Sequence, residues 1–228
     1  MPLSTTVAEN KDAAFLPLAG EAPLARIVRA LLGAVAEPGR VVVAAAEALI
    51  DDVRRSLADD DVASVGVVSV ADPATRAQCL TAALEYLESK TLSTRYVLLH
   101  DISQPLTPAG LQDRVVAGSR SGGTVVMPAL AVTDSIKSVD MHGAITGTLD
   151  RGLLRAVQYP RAFVVDHLRG LLAQHTSGEF DELRESLRAG VPITAVEGDP
   201  DALRAELPKD AEFVEAIIAS RSQDAGCA

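Results

Sequence analysis

The 228-residue sequence contains no tryptophan, and only 3% of it is aromatic. A core without large rings has to be aliphatic, so packing falls to alanine, valine and leucine; with 48% hydrophobic residues there is enough material for a sizeable one. Cysteine is scarce too. Cys79 and Cys227 make no disulfide framework, and Cys227 stands in a polar tail, which fits a reducing, cytoplasmic setting. Positive charge is in deficit, with 21 Lys and Arg against 31 Asp and Glu, a net charge of -10. That argues against a nucleic-acid or anionic-membrane surface, both of which need clustered cations. Any phosphate has to be handled locally. Long apolar runs are missing, so no membrane span is expected, and MPLSTTVAENKDAA lacks the basic start and apolar centre of a signal peptide.

What the chain does have is Tyr96 to Pro105, YVLLHDISQP. Tyr96-Val97-Leu98-Leu99 reads as a strand buried on both faces, and it ends in His100-Asp101 and a proline-terminated loop. Ligands of open α/β sheets sit outside the carboxyl ends of the strands, so Asp101 stands where a carboxylate holds a metal, a phosphate-bound cation or a sugar hydroxyl. The plainer alternative is that Asp101 caps its own turn.

Around it, strand and helix signals alternate. Residues 1–14 show no periodicity and are expected to be poorly ordered; 15–221 read as one domain and 222–228 as a tail. Pro23 opens a helix with Leu24, Ile27, Val28, Leu31, Leu32 and Val35 at helical spacing. Val41 to Ala45 is a strand, Ala48 to Leu57 a helix, and Val65 to Val70 a strand. Asp59-Asp60-Asp61 reads as a solvated charge run. A helix follows from Thr75-Arg76, where Arg76 in the first turn opposes the helix dipole unless it meets an anion. Thr107-Pro108 reads as N-cap and first turn of a helix to Ala117, and Thr124 to Leu130 as a strand. This alternation predicts a mainly parallel sheet with helices on both faces. From about 132 to 160 the pattern changes: Ser135 to Asp140 and Ala144 to Leu149 alternate around Met141-His142-Gly143, which predicts a β-hairpin arm. An isolated hairpin is marginal in water, so a homodimer through the arm is expected. Helices at Phe163 to Leu172 and Asp181 to Leu187, a strand at Ile193 to Val196 and a helix from Pro208 to Ser220 complete the reading. His142, His167 and His175 read as surface residues, and His100 lacks a second histidine at metal-ligand spacing.

Leu18-Ala19-Gly20, Arg76, His100-Asp101, Thr133 to Lys137, Thr148 to Phe163 and Val196-Glu197-Gly198 together resemble the 2-C-methyl-D-erythritol 4-phosphate cytidylyltransferase family, from about Phe15 to Ala219. The resemblance implies a Rossmann-like nucleotidyltransferase fold with an arm that swaps between subunits. It implies transfer of CMP from CTP to a sugar-alcohol phosphate, methylerythritol phosphate, in non-mevalonate isoprenoid synthesis, with Mg²⁺. Such a reaction needs positioning and charge neutralisation more than covalent help. Carried over position by position, Asp101 and Arg151 take catalytic places, with Asp101 also beside the metal. Arg76 and Cys79 lie near the nucleotide, and Ser135, Lys137 and Arg204 near the substrate phosphate. The plainer alternatives are solvated surface charges for Lys137 and Arg204 and a small core residue for Cys79.

The departures from the family pattern are as informative. Its members open with a strand and a glycine-rich loop bearing an arginine, then a Pro-Lys pair; here Met1 to Ala14 holds no glycine or arginine and the pair reads Asp12-Ala13, with Lys11 displaced. The arginine expected after His100-Asp101 is Gln104, and Thr-Pro-Gln reads Tyr159-Pro160-Arg161. Loss of one such donor costs about 10²- to 10³-fold in rate. Two readings follow: a working transferase in which Lys11, Arg161 or a partner's side chain replaces the lost groups, or an inactive binding or regulatory relative.

Overall fold

The computed structural model describes residues 1–35, 37–58, 62–90 and 94–225. The acidic run at 59–61 and Cys227 lie outside them. In chain order the elements are β1 (Pro2–Leu3), α1 (Thr5–Glu9), α2 (Asp12–Phe15), α3 (Pro23–Leu32), β2 (Val42–Ala46), α4 (Ile50–Ser56), β3 (Gly66–Val70), α5 (Arg76–Ser89), β4 (Tyr96–Leu99) and α6 (Ala109–Arg120). There follow β5 (Val125–Ala131), β6 (Lys137–Val139), β7 (Ile145–Thr148), β8 (Arg155–Val157), β9 (Arg161–Val164), α7 (Val165–Gln174), α8 (Glu182–Arg188), β10 (Ile193–Glu197) and α9 (Ala211–Ala225).

The strands form β1-β2-β3, all parallel, and β10-β5-β9-β4, in which β9 runs antiparallel to both neighbours and β8 pairs antiparallel with β5. β2 is buried along its whole length because helices cover both its faces, which is why it reads as an unbroken Val/Ala run. On α3, Leu24, Ile27, Val28 and Leu31 are buried at helical spacing against this sheet. At about 1.5–3 kcal/mol for each fully buried aliphatic side chain, that one face contributes a large share of the local packing energy. A second cluster, Leu80, Leu84, Val97, Leu99, Val125, Phe163 and Leu168, joins α5 and α7 to β4, β5 and β9. The core is aliphatic, and Phe163 is its one fully buried aromatic among the described residues.

Four expectations are corrected. Met1 to Ala14 is ordered: Pro2 and Leu3 pair with Ala44 and Ala45, Leu3 is fully buried, and α1 and α2 follow. Two apolar residues are too few to show a period, yet they suffice once β2 receives them. Arg161 to Val164 is strand, and the helix starts at Val165; Phe163 pairs with Val97 across the sheet. Thr107 caps no helix, since α6 starts from Pro108 and the Thr107 hydroxyl donates instead to the Gln104 carbonyl. The last helix starts at Ala211, not Pro208, and continues to Ala225, into the stretch read as a tail.

The arm forms where the alternation placed it. β6 and β7 pair antiparallel, and the Asp140 carboxylate accepts the N–H groups of His142 and Ala144 across the turn, where Gly143 takes a φ of +83°.

Candidate active site

The ends of β3 and β4 supply the two halves of the site: one leads to the first turn of α5, the other to His100-Asp101. Thr75 caps α5, its hydroxyl accepting the Gln78 N–H while the Gln78 side chain accepts the Thr75 N–H, a reciprocal box worth about 1 kcal/mol. The cap fixes Arg76 at the first helical position. From there its guanidinium donates to Asp101 Oδ2 at 3.0 Å, to both Glu182 oxygens at 3.0 and 3.1 Å, and to the Tyr159 hydroxyl at 3.1 Å. The unfavourable dipole position is thus offset by two carboxylates. The pairing of Leu99 with Arg161 brings β9 to the same place. Arg161 lies 4.0 Å from the centroid of the Tyr159 ring and 3.4 Å from Glu182 Oε1, and Tyr159 donates to that oxygen at 2.8 Å.

The result is a closed group of two guanidiniums and two carboxylates with no net charge. Glu182 has only 1% of its side chain exposed and Arg161 8%. Asp101 Oδ1 accepts the N–H and hydroxyl of Ser103 at 3.1 and 2.6 Å. Burial works against the Asp101 charge, but Arg76 and Ser103 outweigh it and hold the carboxyl below its usual range. For Arg76 burial is likewise outweighed, by Glu182, Tyr159 and Asp101, and its pKa rises. Burial and then Glu182 push the Tyr159 hydroxyl up, so it stays a donor. His100, fully buried and bonded to the Asp101 carbonyl and Thr107, is pushed down to about 4 by burial and is neutral at physiological pH.

Two glutamines brace the group. Gln104 Oε1 accepts the Tyr159 N–H at 2.5 Å and so fixes the entry to β9. Gln158 Nε2 donates to the carbonyls of Asp199 and Ala202, and its Oε1 accepts the Asp199 N–H. Gly198 permits that contact: a Cβ there would lie 2.6 Å from Gln158 Oε1.

Of the residues singled out in the sequence, Arg76 and Asp101 come together. Cys79 does not join them; it is fully buried with its Sγ 3.9 Å from the Leu3 carbonyl oxygen, and burial pushes its thiol up to about 11, so it packs as a small core residue. Ser135, Lys137 and Arg151 are exposed on or beside the arm. Lys137 donates to Thr148 across the hairpin at 2.8 Å and Arg151 donates to the Thr133 carbonyl, pinning the arm's base. Arg204 is exposed after β10. Lys11 is held by Asp52 at 2.6 Å, on α4. Sequence reasoning missed Glu182 altogether: an acidic residue one place after an Asp N-cap is ordinary, and nothing local marks it as the partner of two arginines.

The donor set does not fit a metal as it stands. Asp101 Oδ1 already accepts two bonds from Ser103, and Oδ2 lies 3.0 Å from Arg76 Nη1, so a Mg²⁺ on this carboxylate would have to displace the guanidinium. Among the described residues no group of three or more His, Cys, Asp or Glu side chains gathers to supply another site.

A family model described as 2-C-methyl-D-erythritol 4-phosphate cytidylyltransferase matches residues 4–220. A protein of that description from Rhodococcus jostii (strain RHA1) is 36% identical over 212 residues, 92% of this chain and 88% of its own length. Another, from Nocardia farcinica (strain IFM 10152), is 33% identical over 94% of this chain and 89% of its own. The crystal structure of the cytidylyltransferase from Thermus thermophilus superposes with a TM-score of 0.69 at 26% identity, covering 90% of this chain and 93% of that one. A 4-diphosphocytidyl-2C-methyl-D-erythritol synthase reaches a TM-score of 0.74 at 21% identity over 95% of both chains, a likeness of fold. The fold is thus a shared one, and with the family model matching residues 4–220 this chain is a member of the 2-C-methyl-D-erythritol 4-phosphate cytidylyltransferase family.

Proposed function

We propose that this chain is an inactive binding or regulatory member of its family, a cytoplasmic homodimer joined through the arm. The observation that carries the reading is Arg76 bridging Asp101 and Glu182. Transfer from CTP requires cations and N–H donors free to meet a triphosphate and its leaving pyrophosphate. Here Arg76, Arg161 and Lys11 are each matched to a carboxylate of the chain itself, and short helices follow β1 in place of a glycine-rich cradle. Ser135, Lys137 and Arg151 remain exposed around the arm, where a sugar-alcohol phosphate is the ligand that fits their chemistry.

The second reading is nucleotidyl transfer to methylerythritol phosphate, favoured by the family match across residues 4–220 and by Asp101 at its strand end. Calorimetric titration with CTP and Mg²⁺, with and without methylerythritol phosphate, followed by a pyrophosphate-release assay, separates the two. Binding of the sugar phosphate without pyrophosphate release is the expected result. Turnover that disappears with EDTA overturns it in favour of the transferase.

A further inference from the structure

The carboxyl ends of three parallel strands are tied together through one threonine. Thr5 stands two residues beyond β1, Ala48 two beyond β2 and Asp72 two beyond β3. Thr5 donates its N–H to the Ala74 carbonyl at 2.9 Å, while its hydroxyl accepts the Ala74 N–H at 2.7 Å and donates to Asp72 Oδ1 at 3.2 Å. Asp72 Oδ2 in turn accepts the Ala48 N–H at 2.9 Å. Ligands of open α/β sheets sit at this end of the strands, and here side chains of the protein already hold the amides of Ala48 and Ala74. Ala74 also lies two residues before Arg76, so the tie fixes the approach to the site.

The segment that carries Thr5 runs from Ser4 to Ala13, between the fully buried Leu3 and Ala14. Within it no residue is buried: Val7 and Ala8 lie half-covered against the core, and Thr6, Glu9, Asn10, Lys11 and Asp12 are exposed. Two more side chains latch it, Asn10 Nδ2 donating to the Leu207 carbonyl at 2.9 Å and Lys11 to Asp52 on α4 at 2.6 Å. A stretch anchored at both ends, exposed between them and held by polar bonds belongs to the low end of the local stabilities within a fold.

We propose that Ser4 to Ala13 is a latched strap that shuts the carboxyl ends of β1, β2 and β3 and opens as one unit, so that the chain itself regulates access to that end of the sheet. On the reading of this chain as a binding protein, on which the strap's role rests, a nucleotide entering beside Arg76 has to displace it. One net hydrogen bond favours closure about fivefold, so three latches hold the strap shut on the order of 10²-fold.

Hydrogen exchange of the full chain tests this. The Ala74 amide is expected to exchange about 10²-fold slower than a free amide and with little dependence on urea, whereas Val43 in β2 exchanges by global unfolding. Lys11→Met removes a latch six residues from Thr5 and should still speed Ala74 about fivefold, with Val43 unchanged. Thr5→Val, which keeps the branched shape and removes the hydroxyl, should speed it at least as much. Ala74 exchange that Lys11→Met leaves unchanged overturns the single unit, and Ala74 exchange that follows Val43 in urea or in the variants overturns the strap. Calorimetric titration with CTP and Mg²⁺ reads access: Thr5→Val with Lys11→Met should bind about tenfold tighter or more than the full chain, and equal isotherms overturn the gate. Pyrophosphate release in the same samples judges the loss of catalysis separately, since turnover would sink that reading and leave the exchange result standing.

Discussion

Arg76 donates to Asp101 Oδ2 at 3.0 Å while holding both oxygens of Glu182, so the strand-end carboxylate and the arginine at the start of α5 satisfy each other. A phosphate entering this site competes with two carboxylates already in place. The arrangement depends on Glu182, because Asp101 alone would leave Arg161 without an anion.

Removing that carboxylate is therefore expected to do more harm than removing one that meets only exposed arginines. Glu182→Ala leaves Arg76 and Arg161 with Asp101 as the sole anion of the group, in a setting where uncompensated buried charge costs about 3–5 kcal/mol. Urea unfolding should show a loss of that size. Glu185→Ala, one turn along α8 among exposed arginines, should change stability by less than about 1 kcal/mol. Equal losses for the two would mean that Glu182 acts as an ordinary surface ion-pair member.

Stability should fall between neutral pH and pH 4, because His100 and the buried Met1 amine, whose folded value of about 5 lies below the ordinary 8, both resist protonation in the folded chain. The folded value of His100, about 4, lies below the ordinary 6.5, so the unfolded chain takes up a proton over this interval and the folded chain does not. Above 6.5 both states are neutral and His100 contributes no slope. On acidification toward 4 the loss grows to an amount on the order of 3 kcal/mol. Asp101 acts in a lower window: with its folded value held below the ordinary 3.8, its stabilisation is complete above that pH and is lost only as pH falls further. Urea midpoints at pH 7, 6 and 5 check this, and in His100→Gln the slope between 7 and 5 should become shallower while the share of the Met1 amine remains.

Much of this fold is legible because its strands are buried and its helices one-sided. Tyr96 to Leu99 reads as a strand from its unbroken apolar run, and α3 from the spacing of Leu24, Ile27, Val28 and Leu31. β9 escapes because Arg161 interrupts the apolar signal and Val164 passes into α7 with no breaker and no side-chain cap. The arginine looks like a surface residue until Tyr159 and Glu182 cover it. The site divides the same way. Asp101 is announced by its position after a strand, whereas Glu182 is 106 residues from Arg76 in sequence and gains its role only from packing. β1 is the extreme case, since two residues carry no period and their identity as strand rests on β2.

Gly198 tests how tightly the segment after β10 is braced to the site. Its position for a Cβ lies 2.7 Å from Leu130 Cγ and 3.0 Å from the Ala129 carbonyl carbon, as well as against Gln158. Backbone cannot give way as a side-chain tip can. Gly198→Ala is expected to cost about 1–3 kcal/mol in urea unfolding, the range for overpacking, and Gln158→Ala in the same background should recover little of it. A neutral Gly198→Ala would show that this junction is loose.

The arm makes the sharpest demand on assembly. Val139 is 59% exposed, Ile145 69%, Met141 92% and Leu153 83%, so one hairpin and its base present most of the large hydrophobics that the described chain leaves in water. Val139 and Ile145 are cross-strand partners, which places two aliphatic side chains together on one face. A two-stranded hairpin stabilises itself poorly, and a contiguous exposed apolar patch of this kind marks an interaction surface. In a two-fold dimer each arm covers the other subunit, and the same patch serves both sides. Sedimentation equilibrium of the full chain should give twice the chain mass of 23.8 kDa. Val139→Asp with Ile145→Asp should return the monomer, because a carboxylate opposite a carboxylate on the arm disfavours both the hairpin face and its burial. The urea midpoint of the sheet should change little in that variant at high dilution, since the arm shares no core cluster with β2 or β4. A full chain that sediments as a monomer at tens of micromolar would leave these side chains with another partner and remove the dimer from the proposed function.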